Sequence, residues 1–119
     1  MKYVVQLSIR WRSRQTGSYL HRLAWREIEG NSPQDAAEKF AGCAVKPGGG
    51  GLEMWFFDFK EPRYRKYCLL VVGDNAYERS EITKYTKRTE LTAIDVIKKC
   101  SNQFGFEIDD YNVRKEVGI

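Results

Sequence analysis

Residues 3–11 carry a clean two-residue periodicity that restricts the fold of this chain more than any other feature, because with the turn and strand that follow it predicts a long β-hairpin. Polar side chains alternate there with five apolar ones: Tyr3, Val5, Leu7, Ile9 and Trp11. Successive side chains of a strand point to opposite faces, so the pattern predicts a strand with one buried face. Residues 15–18 predict a turn and residues 19–29 a second strand.

A three-residue loop at 16–18 gives the hairpin register that best separates apolar from basic side chains. It pairs Trp11 with Leu23 and Ile9 with Trp25 on the buried face, whereas a two-residue loop would reverse one strand's faces. This register leaves Ile28 pointing outward. The expected exposed face carries three pairs: Arg12 with Arg22, Arg10 with Ala24, and Ser8 with Arg26.

The rest of the chain predicts two helices and further strands. The first helix begins with Ser32 as its N-cap and Pro33 at its first position, and ends near residues 42–45. Residues 76–88 are ambiguous between a strand and a loop: Ile82, Thr83, Tyr85 and Thr86 favour a strand, but the segment is polar. The remaining expected elements are strands at 52–59 and 67–72, a helix at 91–103, and a short final strand within 106–117.

These elements predict a single compact domain over residues 1–119, of the α+β class. The expected sheet is mostly antiparallel, with four to six strands and two helices in the order ββ-α-ββ-(β)-α-β. A β-grasp-like topology and a plain antiparallel sheet with two helices on one face both fit this order, and either leaves the second sheet face free for binding. The expected core includes Phe40, Phe56, Leu69, Val71 and Ile97.

The positive charge of the chain is concentrated at its N-terminal end. Residues 1–26 contain no Asp or Glu but six basic residues: Lys2, Arg10, Arg12, Arg14, Arg22 and Arg26. The formal net charge of the whole chain is +4, so the other residues together are slightly acidic. An acid-free hairpin is suited to contact with a polyanion or with an acidic protein surface.

Basic residues also alternate with aromatic ones in three short clusters, at residues 10–14, 63–67 and 84–88. Arginine and lysine neutralise phosphates, and exposed aromatic rings stack on bases. The hairpin face is expected to carry the main contact, with Arg12 and Arg22 exposed, and the second cluster a further edge. The candidate binding residues are therefore Arg10, Arg12, Arg14, Arg22, Arg26, Arg63, Tyr64, Arg65 and Lys66.

Signatures of catalysis and of cofactor binding are lacking in the sequence. His21 is the only histidine, and the three cysteines are far apart, which argues against a metal site and predicts free thiols. The glycines at 48–51 are not followed by the lysine and helix start of a phosphate-binding loop. No signal peptide or membrane span is recognisable, so the expected location is the cytoplasm, without a membrane partner.

The sequence therefore favours a non-enzymatic binding module that contacts nucleic acid through its basic hairpin, without a cofactor. The alternative is a small protein-binding inhibitor or regulator of nucleic-acid machinery, of the kind that phages and mobile elements encode, which would bind an acidic protein face. An enzyme of unknown class is the third interpretation.

Overall fold

The structure, a computed structural model, describes residues 1–13, 17–48, 54–57 and 67–104, with only the backbone of 10–13, 17–21, 85 and 100–104. Five strands and three helices lie in this part of the chain. They are β1 (Lys2–Ser13), β2 (Gly17–Glu29), α1 (Pro33–Ala41), β3 (Val45–Pro47), β4 (Met54–Phe57), β5 (Tyr67–Val72), α2 (Ala76–Tyr85) and α3 (Ala93–Phe104). The expected final strand at 106–117 lies outside the described residues.

The strands form one sheet in the order β2-β1-β5-β4-β3, and every described pair is antiparallel. This confirms the α+β class and the mostly antiparallel sheet. The antiparallel pairing of β1 with β5 fits the plain antiparallel sheet rather than a β-grasp, whose central strands run parallel. The helix count is three rather than two, because residues 76–85 form a helix.

One face of the sheet, here called the core face, packs against α1 and α3. Leu7, Leu69 and Phe40 are fully buried there, and Ile97 of α3 belongs to the same cluster. Of the five expected core residues, Phe40, Leu69, Val71 and Ile97 are confirmed. Phe56 is not in the core, because it pairs with Cys68 and so lies on the opposite face, half-buried.

Helix α1 has the termini that the sequence predicts. The Ser32 hydroxyl accepts a hydrogen bond from the Asp35 backbone N–H at 3.1 Å, and Asp35 Oδ2 accepts one from the Asn31 N–H at 2.9 Å. This second bond, together with Lys39, lowers the pKa of the Asp35 carboxyl. Gly42 ends the helix with φ of 78°, a left-handed conformation that glycine adopts without strain.

We expect Ser32→Ala to lower the free energy of unfolding by about 1 kcal/mol, because the Asp35 N–H loses its acceptor at the helix end. Urea unfolding of the full chain measures this loss. Ser80→Ala on the exposed side of α2 is the matched control, and it should change stability by less than about 0.5 kcal/mol. Equal effects of the two changes would show that the cap does not stabilise α1.

Residues 76–88 form α2 and then a short extended stretch, so neither of the two alternatives, strand or loop, describes residues 76–85. Asn75 is the N-cap of α2, and its Oδ1 accepts a hydrogen bond from the Glu78 N–H at 3.0 Å. Helix α2 is polar and buries few of its side chains, notably Ile82, so its sequence lacks a clear apolar stripe. The cap at Asn75, with an acidic residue three positions later, was the available helix signal.

The predicted hairpin register was also wrong. Ser13 pairs with Gly17 and Arg12 with Ser18, whereas the predicted register paired Arg12 with Arg22. Leu23 is an extra residue in β2, because Leu7 pairs with Ala24 while Ser8 pairs with Arg22. Beyond such a bulge, each residue of the strand lies on the opposite face from the one that regular alternation would give it. Ile28 is consequently buried opposite Tyr3 on the core face instead of pointing outward.

Candidate functional site

The β1–β2 hairpin extends beyond the rest of the described sheet. Within the described residues, the pairs of β5 with β1 run from Val4–Val72 to Ile9–Tyr67. Strands β1 and β2 continue together for four more pairs, from Arg10 opposite Leu20 to Ser13 opposite Gly17. We call residues 10–13 and 17–20 the projecting ribbon, because no other described strand pairs with them. At about 3.3 Å per residue the ribbon is about 13 Å long.

The projecting ribbon carries two of the predicted binding residues, Arg10 and Arg12, at alternate positions of β1. The structure describes only their backbone. The five predicted residues outside the described ranges are Arg14, Arg63, Tyr64, Arg65 and Lys66. The structure therefore places Arg10 and Arg12 on one ribbon. The second predicted contact edge, at residues 63–66, lies outside the described residues.

Arg22 and Arg26 do not lie on the same face of the sheet, contrary to the expectation. Arg22 pairs with Ser8, and Arg26 pairs with Val5, which belongs to the core face. Side chains alternate between the two faces along β1, and Ser8 and Val5 are three positions apart, so they lie on opposite faces. Their partners Arg22 and Arg26 are therefore on different faces of the sheet. The physical reason is the bulge at Leu23, because this extra residue shifts the alternation of faces along β2 between Arg22 and Arg26.

Arg22 is half-buried, contrary to the expectation that it is exposed. Its Nη1 donates a hydrogen bond to the Glu81 carbonyl oxygen of α2 at 3.3 Å. This contact crosses from β2 to a helix that the sequence did not predict. Arg22 therefore joins β2, close to the projecting ribbon, to α2. A charge reversal at Arg22 would disturb the fold as well as any contact with a ligand.

The second face of the sheet, expected to be free, is covered at β1 and β2 by α2 and the residues after it. Gln6 and Ser8 are fully buried on this face. The Gln6 side-chain amide donates to Thr86 Oγ1 at 2.7 Å, and the Trp25 indole N–H donates to the Thr86 carbonyl at 2.8 Å. The Trp25 backbone also exchanges hydrogen bonds with residues 87 and 89, which protects the outer edge of β2.

Arg79 of α2 makes three hydrogen bonds, two of them to the hairpin. Its guanidinium donates to the carbonyl oxygens of Lys2 and Gly73, at 3.1 and 3.0 Å, and to Glu27 Oε2 at 2.8 Å. An open cleft of about 530 Å³ surrounds this contact, with Trp25 in one of its walls. Glu27 is paired with both Arg79 and Lys2, and Asp74 also lines the cleft, so two acidic and two basic side chains balance each other there.

The third basic–aromatic cluster, at residues 84–88, has a role in the fold. Thr86 is buried, and the Lys87 carbonyl accepts a hydrogen bond from the Trp25 backbone N–H at 3.1 Å. Arg88 forms an ion pair with Glu90 at 3.0 Å. Sequence reasoning missed the contact of Lys87 with Trp25 and those of Arg79 with Lys2 and Glu27, because these join positions that are distant along the chain.

The described residues contain no group of three His, Cys, Asp or Glu side chains that could hold a metal ion. Within the described residues, Cys43 and Cys68 are not joined in a disulfide. None of the helices within the described ranges has the length and apolar character required to cross a membrane.

Comparison with known proteins gives no family for this chain. No family model matches it, and no curated protein or solved structure shows a significant similarity. Its candidate site therefore rests on its own residues and geometry.

Proposed function

We propose that this protein is a non-enzymatic binding module that contacts nucleic acid through the projecting ribbon. The observation that supports this most is the combination of shape and charge. The ribbon extends beyond β5, carries Arg10 and Arg12, and belongs to a segment without a single acidic residue before Glu27. A basic arm of this kind presents its charges to the phosphates of a polyanion.

Both strands of the hairpin are held, on one face of the sheet, by α2 and the residue after it, which favours binding by a preorganised arm. The hydrogen bonds from Gln6 and Trp25 to Thr86 fix β1 and β2 against the segment after α2. Arg22 adds a contact to Glu81. An arm that is already ordered loses less conformational entropy when it binds.

The test is a charge reversal of the ribbon, Arg10→Glu with Arg12→Glu. We expect it to weaken binding of a fluorescent nucleic acid by at least about tenfold, because two phosphate contacts become repulsive. The slope of log affinity against log salt concentration should fall by about 2 units. Fluorescence anisotropy at several salt concentrations measures both quantities.

Lys98→Glu with Lys99→Glu is the charge-matched control, because both lysines are exposed on α3. Circular dichroism and thermal unfolding must show that both variants are folded. If the ribbon variant is folded and binds as tightly as the control, the proposal is wrong. If the wild-type protein binds no nucleic acid, the alternative of an acidic protein partner is tested by pull-down from the source cell with and without nuclease.

A further inference from the structure

We infer that residues 76–89, here called the lid, open away from the sheet as one unit while the core of the protein stays folded. The lid comprises α2 and the extended stretch after it, and it covers the second face of the hairpin. Opening gives access to that face and to the outer edge of β2. Lid opening requires no nucleic acid, so it stands apart from the proposed function.

Helix α2 is anchored to the sheet by very little apolar surface. Ile82 is the one buried side chain among those that the structure describes on this helix, and Tyr77 is 74% exposed. Helix α1, by contrast, buries Phe40 together with three alanines. Most of the stability of a protein helix comes from the packing of an apolar face, so α2 is held less firmly than α1.

The N-terminal half of α2 also packs incompletely on the hairpin. An open cleft of about 530 Å³ lies between the two, lined by Val4 and Trp25 of the sheet and by Ala76 and Ser80 of the helix. Side chains that face an open cleft have few packing contacts for lid opening to break.

Hydrogen bonds to β1 and β2 hold the lid instead. Arg79 donates to the Lys2 carbonyl at 3.1 Å and to Glu27 at 2.8 Å, and both contacts are exposed to solvent. The buried Gln6 amide donates to Thr86 Oγ1 at 2.7 Å. Water replaces each of these partners when the lid leaves, so the free energy that they contribute is modest. A polar residue such as Gln6 beneath the lid also avoids the cost of exposing apolar surface.

The stretch after α2 is joined to the outer edge of β2 at Trp25. The Trp25 backbone N–H donates to the Lys87 carbonyl at 3.1 Å, and the Trp25 carbonyl accepts from the Thr89 N–H at 2.9 Å. These bonds form an isolated parallel bridge rather than a ladder of pairs. Backbone groups of a strand point alternately to its two sides, so the Arg26 N–H points to β1. The Trp25 amide therefore reports on the lid, and the Arg26 amide reports on the hairpin.

Amide hydrogen exchange of the full chain, resolved by residue with NMR, tests the lid. A helix of 10 residues is marginal on its own in water, so α2 loses its hydrogen bonds when the lid opens. We expect the amides of α2, Trp25 and Thr89 to have the same protection within about threefold, because one opening exposes them all. The Leu70 and Arg26 amides, inside the sheet, should be protected at least about 100-fold more strongly.

Two variants distinguish lid opening from unfolding of the whole protein. Leu69→Ala weakens the core, which stays packed in the open-lid state. Leu70 exchange should therefore accelerate at least about twentyfold, and exchange in the lid less than about twofold. Arg79→Ala removes two hydrogen bonds from α2 to the hairpin and should accelerate exchange in the lid at least about tenfold. Lys98→Ala, which removes an exposed cation from α3, is the matched control and should change lid exchange less than about threefold.

Three results overturn the inference. The lid opens only with the whole protein if Leu69→Ala accelerates the lid amides as much as the Leu70 amide. Helix α2 merely frays if its amides exchange quickly while Trp25 and Thr89 keep the protection of Leu70. The described contacts do not hold the lid if Arg79→Ala has no more effect than its control. Should Leu69→Ala fail to fold, urea below the unfolding midpoint makes the same distinction, because it accelerates exchange according to the surface that an opening exposes.

Discussion

Leu69→Ala is expected to lower the free energy of unfolding by about 2–5 kcal/mol, the range for removing a large aliphatic side chain from a packed core. Leu69 is fully buried at the centre of β5, between Leu7 of β1 and Trp55 of β4 in the sheet register. Its side chain belongs to the core-face cluster that includes Phe40 of α1. The truncation leaves a cavity that a rigid sheet cannot close, so both transfer energy and packing are lost.

Leu70→Ala is the matched control, because it is the same change at the next position of the same strand. Leu70 lies on the opposite face and is half-buried. We expect it to cost no more than about half of the Leu69→Ala loss, because less apolar surface returns to water. Urea unfolding, fitted with one m-value for the two variants, measures both losses in the free energy of unfolding. Equal losses would contradict the assignment of the core to the face that packs against α1 and α3.

Thr86→Val is expected to cost about 1–3 kcal/mol, because it leaves a buried amide without its acceptor. The Gln6 side chain is fully buried and donates to Thr86 Oγ1 at 2.7 Å. Valine has nearly the shape of threonine, so the change removes the hydroxyl while keeping the volume. The loss should appear in chemical unfolding and as faster hydrogen exchange in β2 around Trp25.

Two further variants test whether the stability loss of Thr86→Val comes from the buried hydrogen bond. Thr83→Val removes an exposed hydroxyl from α2 and should change stability by less than about 0.5 kcal/mol. Adding Gln6→Met to Thr86→Val should recover much of the loss, because both polar partners are then replaced by apolar groups. A cost below about 0.5 kcal/mol for Thr86→Val alone would show that this hydrogen bond does not hold α2 on the sheet.

The elements with strong local signals could be predicted from the sequence. Helix α1 has a capping serine, a proline at its first position and Gly42 at its end, and all three act within a few residues. Strand β5 has a short, continuous apolar run, which is typical of a strand with neighbours on both sides. The apolar positions of α1 and β5 include three of the correctly expected core residues, Phe40, Leu69 and Val71.

The candidate site could be predicted only in part. The acid-free N-terminal segment and its hairpin are visible in the sequence, and so are the positions of Arg10 and Arg12. The arrangement of Arg22 and Arg26 was predicted wrongly, because the register argument assumed that β1 buries one face. Burial of both faces removes that criterion, since a polar residue such as Gln6 can then occupy the interior.

The sequence by itself determined the strand and helix periodicities, the caps, and the concentration of positive charge in the first 26 residues. The tertiary structure decided the bulge at Leu23, the faces of Arg22 and Arg26, and the covering of the second sheet face by α2. Periodicities and caps arise from neighbouring residues, which local propensity can indicate. The contact of Gln6 with Thr86 joins residues 80 positions apart, so only the folded chain brings their polar groups together.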